Sequence, residues 1–212
     1  MNVLAPNALT TLDIMKSMLG IKKSDKDKTR DMVIVNLING VSAWIERMTG
    51  RKIGKQIYIQ RYDASGQQEL VLLQWPILSV DYIKNVTDNK EIDPATYSFD
   101  PTGEIGVIYR DNGWPFRAHR GGLAFDVKAI RRVIEVKYTA GYVLPKDATE
   151  KEPTTLPYDL QMIVWGAVMQ EFSLMQSGAM GLSAFKISDV AWTFDKNPRQ
   201  EWLDTIRLYA RL

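Results

Sequence analysis

Apolar residues recur along this chain with two rhythms, and the places where the rhythm changes divide it. Near the start Thr10 stands as a helix N-cap with Asp13 three residues later, and Leu9 and Ile14 occupy the positions of a hydrophobic staple. Leu12, Met15 and Leu19 then share one face and Gly20 is placed as the C′ residue. A charged stretch, residues 22–30, reads as a solvated loop into a second helix over about 27–48. There Ile34, Leu37, Ile38, Val41, Ile45 and Met48 keep the i, i+3, i+4, i+7 spacing and Gly50 is the stop.

From about residue 55 to 142 the period becomes two. Ile57, Ile59 and Arg61 alternate with Tyr58, Gln60 and Tyr62; Val80, Tyr82 and Lys84 alternate with Asp81, Ile83 and Asn85; Arg132, Ile134, Val136 and Tyr138 alternate with Val133, Glu135 and Lys137. Turn signals such as Ala64-Ser65-Gly66, Asp93-Pro94, Asp111-Asn112-Gly113 and Gly121-Gly122 separate these runs. Five or six short strands with antiparallel connections are expected.

A proline-rich segment, 145–157, returns the chain to helix. The third helix is predicted over 158–176, with Leu160, Ile163, Val164, Ala167, Val168, Phe172 and Met175 making it apolar over much of its circumference. Such a helix is buried in a core or in an interface. Residues 187–194 read as one more strand or an extended arm, and the longer arm 178–194, with its flanking glycines, as a segment that orders on assembly. A last helix follows, with Asn197 as cap, Pro198 at N1, and Trp202, Leu203 and Ile206 on its apolar face. Short terminal helices are stable only when packed together. The expected fold is therefore α+β: a small bundle of about four helices from both ends of the chain, 1–54 and 143–212, with an antiparallel β block, 55–142, inserted within one compact domain.

Composition narrows the chemistry. The 212 residues carry 45% hydrophobic and 25% charged side chains, which suits a globular chain with a real core. The net charge of +2 says little about partners. With no cysteine, thiol catalysis, Cys-ligated zinc and iron–sulfur clusters are excluded. The first twelve residues lack a signal-peptide pattern and no apolar run approaches a membrane span, so a cytoplasmic protein without membrane contact is expected.

Catalysis finds little support. His119 is the sole histidine and has no cysteine or second histidine to partner it, so a solvated loop histidine is the expectation. No nucleophile elbow, phosphate loop or metal-spacing motif is present, and no cofactor or metal is expected; a carboxylate-only magnesium site would leave little trace in sequence. The best nucleic-acid or partner loop runs over 110–122: Arg110, Arg117 and Arg120, with His119, lie near Trp114 and Phe116, and Arg131 and Arg132 follow. Basic side chains there either touch passing phosphates or pair with carboxylates of a neighbouring subunit, the aromatics then anchoring an interface. The interface argument is stronger. Six Trp and nine Tyr are many for this length. Trp44, Trp165, Phe172, Trp192 and Trp202 are the candidates, divided between core and contacts with identical neighbours.

Several segments together resemble the head–tail connector (adaptor, head-completion) proteins of tailed bacteriophages. The run from Val41 through Trp44 and Glu46 to Thr49-Gly50-Arg51 is similar to the end of that family's long helix, with its hydrophobic–Glu–x–x–Thr/Cys–Gly–Arg ending. The strand 58–62, the turn 63–66 and the step from Leu70 through Trp75-Pro76 to Ser79-Val80 resemble its next segment, and Val136-Lys137-Tyr138-Thr139-Ala140-Gly141-Tyr142 its strand end. Leu156-Pro157-Tyr158 opening a helix, Phe185 to Val190, and the terminal helix complete a likeness over residues 8–212. The β block is longer than usual over 85–122. The resemblance implies a structural, non-enzymatic ring subunit, dodecameric in most members, that lies beneath the portal, extends the DNA channel and receives a tail or stopper protein. It implies non-specific contact with passing double-stranded DNA, a place in the virion, and assembly in the host cytoplasm. The competing readings are another virion ring subunit (tail terminator or baseplate) and a phage DNA-processing enzyme.

Overall fold

The structure, a computed structural model, describes residues 3–87, 89–102, 105–114, 132–177, 184–187, 190–193 and 199–210. The fold is α+β and divides into two compact units. Met1–Ile53 and Val143–Arg211 form a helical unit, and Gly54–Tyr142 form a sheet unit.

In the helical unit α1 spans Leu12–Met18, α2 Lys28–Thr49, α3 Tyr158–Gln176 and α4 Gln200–Leu208. Asp27 caps α2 by accepting from the backbone N–H groups of Thr29 and Arg30. Gly50 ends it at φ 67°, a left-handed conformation that glycine adopts without strain. The core joins Met15 of α1, Ile34, Ile38 and Ile45 of α2 and Leu160, Val164, Val168 and Phe172 of α3. Ahead of α1 the chain is fastened to α2 by a ladder of side chains. Asn39 accepts from Ala5 N–H, Ser42 from Leu9 N–H, and Glu46 from the Asn7 amide. Between α3 and α4 the backbone forms a two-stranded hairpin, β8 (Ala184–Ile187) with β9 (Val190–Thr193), where one strand or arm was expected.

Two helix starts differ from expectation. Thr11, not Thr10, caps α1, accepting from Ile14 N–H. The hydroxyl of buried Thr10 accepts instead from the Trp165 indole at 3.1 Å. Helix α4 begins at Gln200, with Arg199 at the cap and no side-chain cap bond; Asn197 and Pro198 lie outside the described residues.

The sheet unit holds seven strands among the described residues. An antiparallel four-stranded sheet runs β1–β7–β3–β4, built from β1 (Gln56–Tyr62), β7 (Ile134–Ala140), β3 (Ile77–Asn85) and β4 (Lys90–Glu91). A three-stranded sheet runs β2–β6–β5, built from β2 (Glu69–Val71), β6 (Val107–Tyr109) and β5 (Ser98–Phe99). Their core contains Tyr62, Leu72, Ile83, Ile108, Trp114, Val136 and Tyr138. On β1 the expected alternation holds, and the tyrosine side faces inward. Burying tyrosine is affordable because the hydroxyls meet partners. Tyr62 and Tyr138 both donate to the Gln60 side-chain oxygen, at 2.7 and 2.6 Å, and Leu73 N–H donates to Tyr62. Burial pushes the Tyr138 phenol far above its ordinary pKa. On β3 the expected alternation fails. Register slips between Ile77 and Ser79 and between Val80 and Tyr82 each add a residue to that strand. Val80 and Ile83 thereby both pack on the core, while Tyr82 and Lys84 share the outer face.

Candidate functional site

The third helix is apolar on more than its buried side. Tyr158 and Met162 are 77% and 65% exposed, and Trp165 and Met169 are half-buried. Two concavities use this surface, both within the helical unit. A groove of about 330 Å³ is lined by Leu37, Gly40, Val41 and Trp44 of α2, Ala167 of α3 and Trp202 of α4. A trough of about 830 Å³ is lined by Met162, Trp165 and Met169 of α3, by Met18 of α1, and by Arg199, Glu201 and Trp202. Trp202 lines both.

Trp202 reaches that place because α3 carries no side chain beneath it. A Cβ at Gly166 would stand 2.7 Å from the Trp202 ring. Arg199 lies over the other part of this contact, its guanidinium 5.3 Å from the ring centroid. The Tyr209 hydroxyl donates to Asp159 at 2.9 Å and fixes the far end of α4. Gly166→Ala should therefore lift α4 from α3 and cost about 1–3 kcal/mol, although alanine is the better helix former. A lowered thermal midpoint together with a red-shifted tryptophan emission checks this; an unchanged or raised midpoint would refute it.

The expected interface residues thus separate. Trp44, Trp165 and Trp202 are half-buried and line concavities that no described residue fills. Phe172 is buried, 6% exposed, so it is a packing residue and not a surface one. The side chain of Trp192, in β9, lies outside the described residues.

Two of the residues singled out in the loop over 110–122, Arg110 and Trp114, lie among the described residues. Trp114 is fully buried in the sheet unit. Its indole N–H donates to Gln68 C=O at 3.0 Å, and its backbone N–H donates to Gln67 C=O. Gly113 makes this possible. It sits at φ 69°, and a Cβ there would lie 2.5 Å from Gly66 O. Arg110 is spent internally, donating to Gly113 C=O at 3.0 Å with its guanidinium 6.0 Å from the Trp114 ring. Trp114 is therefore a packing residue of the sheet unit, and Arg110, half-buried, is engaged within the same turn. Phe116, Arg117, His119, Arg120 and Arg131 lie outside the described residues. In the charged stretch 22–30, Asp25 bonds Arg30 and its carbonyl accepts from Lys16, while Lys22, Lys23, Lys26 and Lys28 are exposed.

Sequence reading did not single out the outer face of the four-stranded sheet. Its centre is Glu135 on β7, directly opposite Arg61 on β1 and Lys84 on β3. Arg61 Nε and Lys84 Nζ lie 2.8 and 2.9 Å from its oxygens, and the Tyr82 hydroxyl donates at 3.1 Å. The Lys84 ammonium, then the Arg61 guanidinium, hold this carboxyl down at about 2; the same bond raises Lys84. Beside this hub, Ile57 and Ile59 of β1 stand 62% and 60% exposed. Strong alternation in β1 was the available signal, but nothing in it told which side would face water.

Among the described residues no group of three His, Asp or Glu side chains could hold a metal ion, and no helix is long and apolar enough to cross a membrane. The two apolar concavities on the helical unit are filled by no described residue. A match to the head completion protein family spans residues 8–154, and the chain belongs to that family. Its fold is similar to a chain from the neck of a native GTA particle computed with C12 symmetry, at 15% identity, TM-score 0.53, over 99% of this chain and 93% of that one. A chain from the neck of an empty GTA particle computed with C6 symmetry is similar at 16% identity and TM-score 0.54, over 99% and 94%. No curated protein matches.

Proposed function

We propose that this protein is a structural subunit of a phage head–tail connector ring that lies beneath the portal, extends the DNA channel and joins the capsid to the tail. The observation that carries this reading is the family membership, established over residues 8–154. The fold likeness to neck chains of particles with C12 and C6 symmetry adds support for a ring of twelve copies. The portal protein on one side and a tail or stopper protein on the other are its partners, and passing double-stranded DNA touches the ring without sequence readout. The chain acts in the virion and is incorporated during assembly in the host cytoplasm. Its role is to be packed, not to turn over a substrate.

Electron microscopy of the purified protein, with and without portal protein, tests the reading. Ring-shaped particles are expected in at least one of the two samples. A protein that stays monomeric with portal present, and nicks plasmid DNA in magnesium, would overturn it.

A further inference from the structure

We infer that the loop between α1 and α2, through Lys22, Lys23 and Lys26, is where this chain meets the phosphates of passing double-stranded DNA. The inference rests on the ring reading, in which duplex moves through the channel, and names the segment that touches it. The loop is held from within the chain. Lys16 of α1 is buried, its side chain 5% exposed, and its ammonium lies 2.7 Å from Asp31 of α2 and donates to the Asp25 carbonyl at 2.8 Å. Ile21 N–H donates to Lys16 C=O, Asp25 N–H to Lys22 C=O, and Asp27 N–H to the Asp25 side chain. A buried ammonium needs such partners to offset its desolvation, so the loop backbone stays where they are.

The carboxylates of this region are used inside the chain. Asp25 pairs with Arg30, Asp31 with Lys16, and Asp27 caps α2. Asp13 lies 3.8 Å from Lys23, but the two side chains are 67% and 66% exposed, and a pair so open to water is weak. Over residues 13–31 six cations stand against four carboxylates, and Lys22, Lys23, Lys26 and Lys28 are all exposed. Residues 22–30 contain no aromatic and no large apolar side chain. Contacts between proteins favour aromatics and arginine and are poor in lysine, so this composition fits a phosphate backbone better than a partner subunit. Lysine brings a hydrated point charge on a flexible stem, without the bidentate fork of arginine. It attracts phosphate and reads no base, which suits a duplex that must slide past.

Fluorescence anisotropy of a labelled duplex of mixed sequence, titrated with the full chain at several salt concentrations, tests the assignment. Two variants with the same loss of charge are compared. One carries Lys22→Gln, Lys23→Gln and Lys26→Gln; the other carries Lys55→Gln, Lys90→Gln and Lys151→Gln, at positions exposed elsewhere. The loop variant should bind about tenfold more weakly at low salt, with the slope of log affinity against log salt shallower by about 2 to 3. The control should lose much less, and arginine at the three loop positions should keep the binding. Equal losses in the two glutamine variants would mean that net charge alone is felt, and would overturn the assignment. So would an unaltered protein that forms rings yet leaves the duplex unbound at low salt. A loop variant that binds DNA normally but no longer joins the portal protein would give the loop to a protein partner, against the inference. Each of these results leaves the ring reading standing, whereas absence of rings in every microscopy sample would overturn that reading and the passing duplex with it.

Discussion

Replacing Trp114 with alanine is expected to lower the stability of the protein by about 3–5 kcal/mol, the range for deleting a large aromatic from a closed core. The ring is fully buried among Tyr97, Ile108 and other members of the sheet core, with its centroid 6.5 Å from that of Tyr97. Its removal opens a cavity and strips the Gln68 carbonyl of its indole donor. The turn at 110–113 then keeps its backbone bonds, the Gln68 amide on Asp111 C=O and Arg110, whose ring partner is gone. Urea unfolding followed by circular dichroism should show the midpoint falling. Trp44→Ala should cost clearly less, because that side chain is half-buried at a groove. Equal losses for the two variants would mean that Trp114 is no more a core residue than Trp44.

Contrasts of this kind mark how far the sequence could be read. Both long helices were legible because periodicity and stop signals agree: the second was expected over 27–48 and is Lys28–Thr49, the third over 158–176 and is Tyr158–Gln176. The α+β class followed from the change of period between them. Face assignment on the strands was legible where pairing is regular, as on β7, and failed on β3, because a bulge moves every later side chain across the sheet and leaves no local signature. On β1 the pattern was visible but its sense was not. Tyrosine went inside because hydroxyls from β1 and β7, brought together by pairing, satisfy one another with Gln60. Trp165 with Thr10 shows the same limit over 155 residues of chain. Trp114 beside Arg110 looked like an exposed aromatic–basic loop, and only the close approach of Gly113 to Gly66 reveals a plug. Unlike Trp114, the outer sheet face went unremarked because its chemistry arises from three strands at once.

That face supplies a sharp pH dependence. Glu135 is held at about 2 in the folded protein against an ordinary 4.5. A carboxyl depressed by folding stabilises the fold while it is ionised. Its contribution is therefore complete above about pH 4.5, declines as pH falls from there toward 2, and is gone below. The displacement corresponds to roughly 3 kcal/mol at most. Arg61 is half exposed, and solvent screening of that partner reduces the figure to about 2 kcal/mol. Glu135→Gln keeps the shape and the Tyr82 contact while leaving Arg61 and Lys84 facing each other without an anion. At pH 7 the variant should be less stable by about 2 kcal/mol, and the gap should close as pH approaches 2. Thermal unfolding of both proteins between pH 2 and 7 reads this directly. A gap that stays constant over that range would assign the loss to packing and not to charge. Because the carboxylate links β1, β7 and β3 on the side where Ile57 and Ile59 stand, the same variant should loosen the register of β1 and make its amides exchange faster with solvent than those of β2.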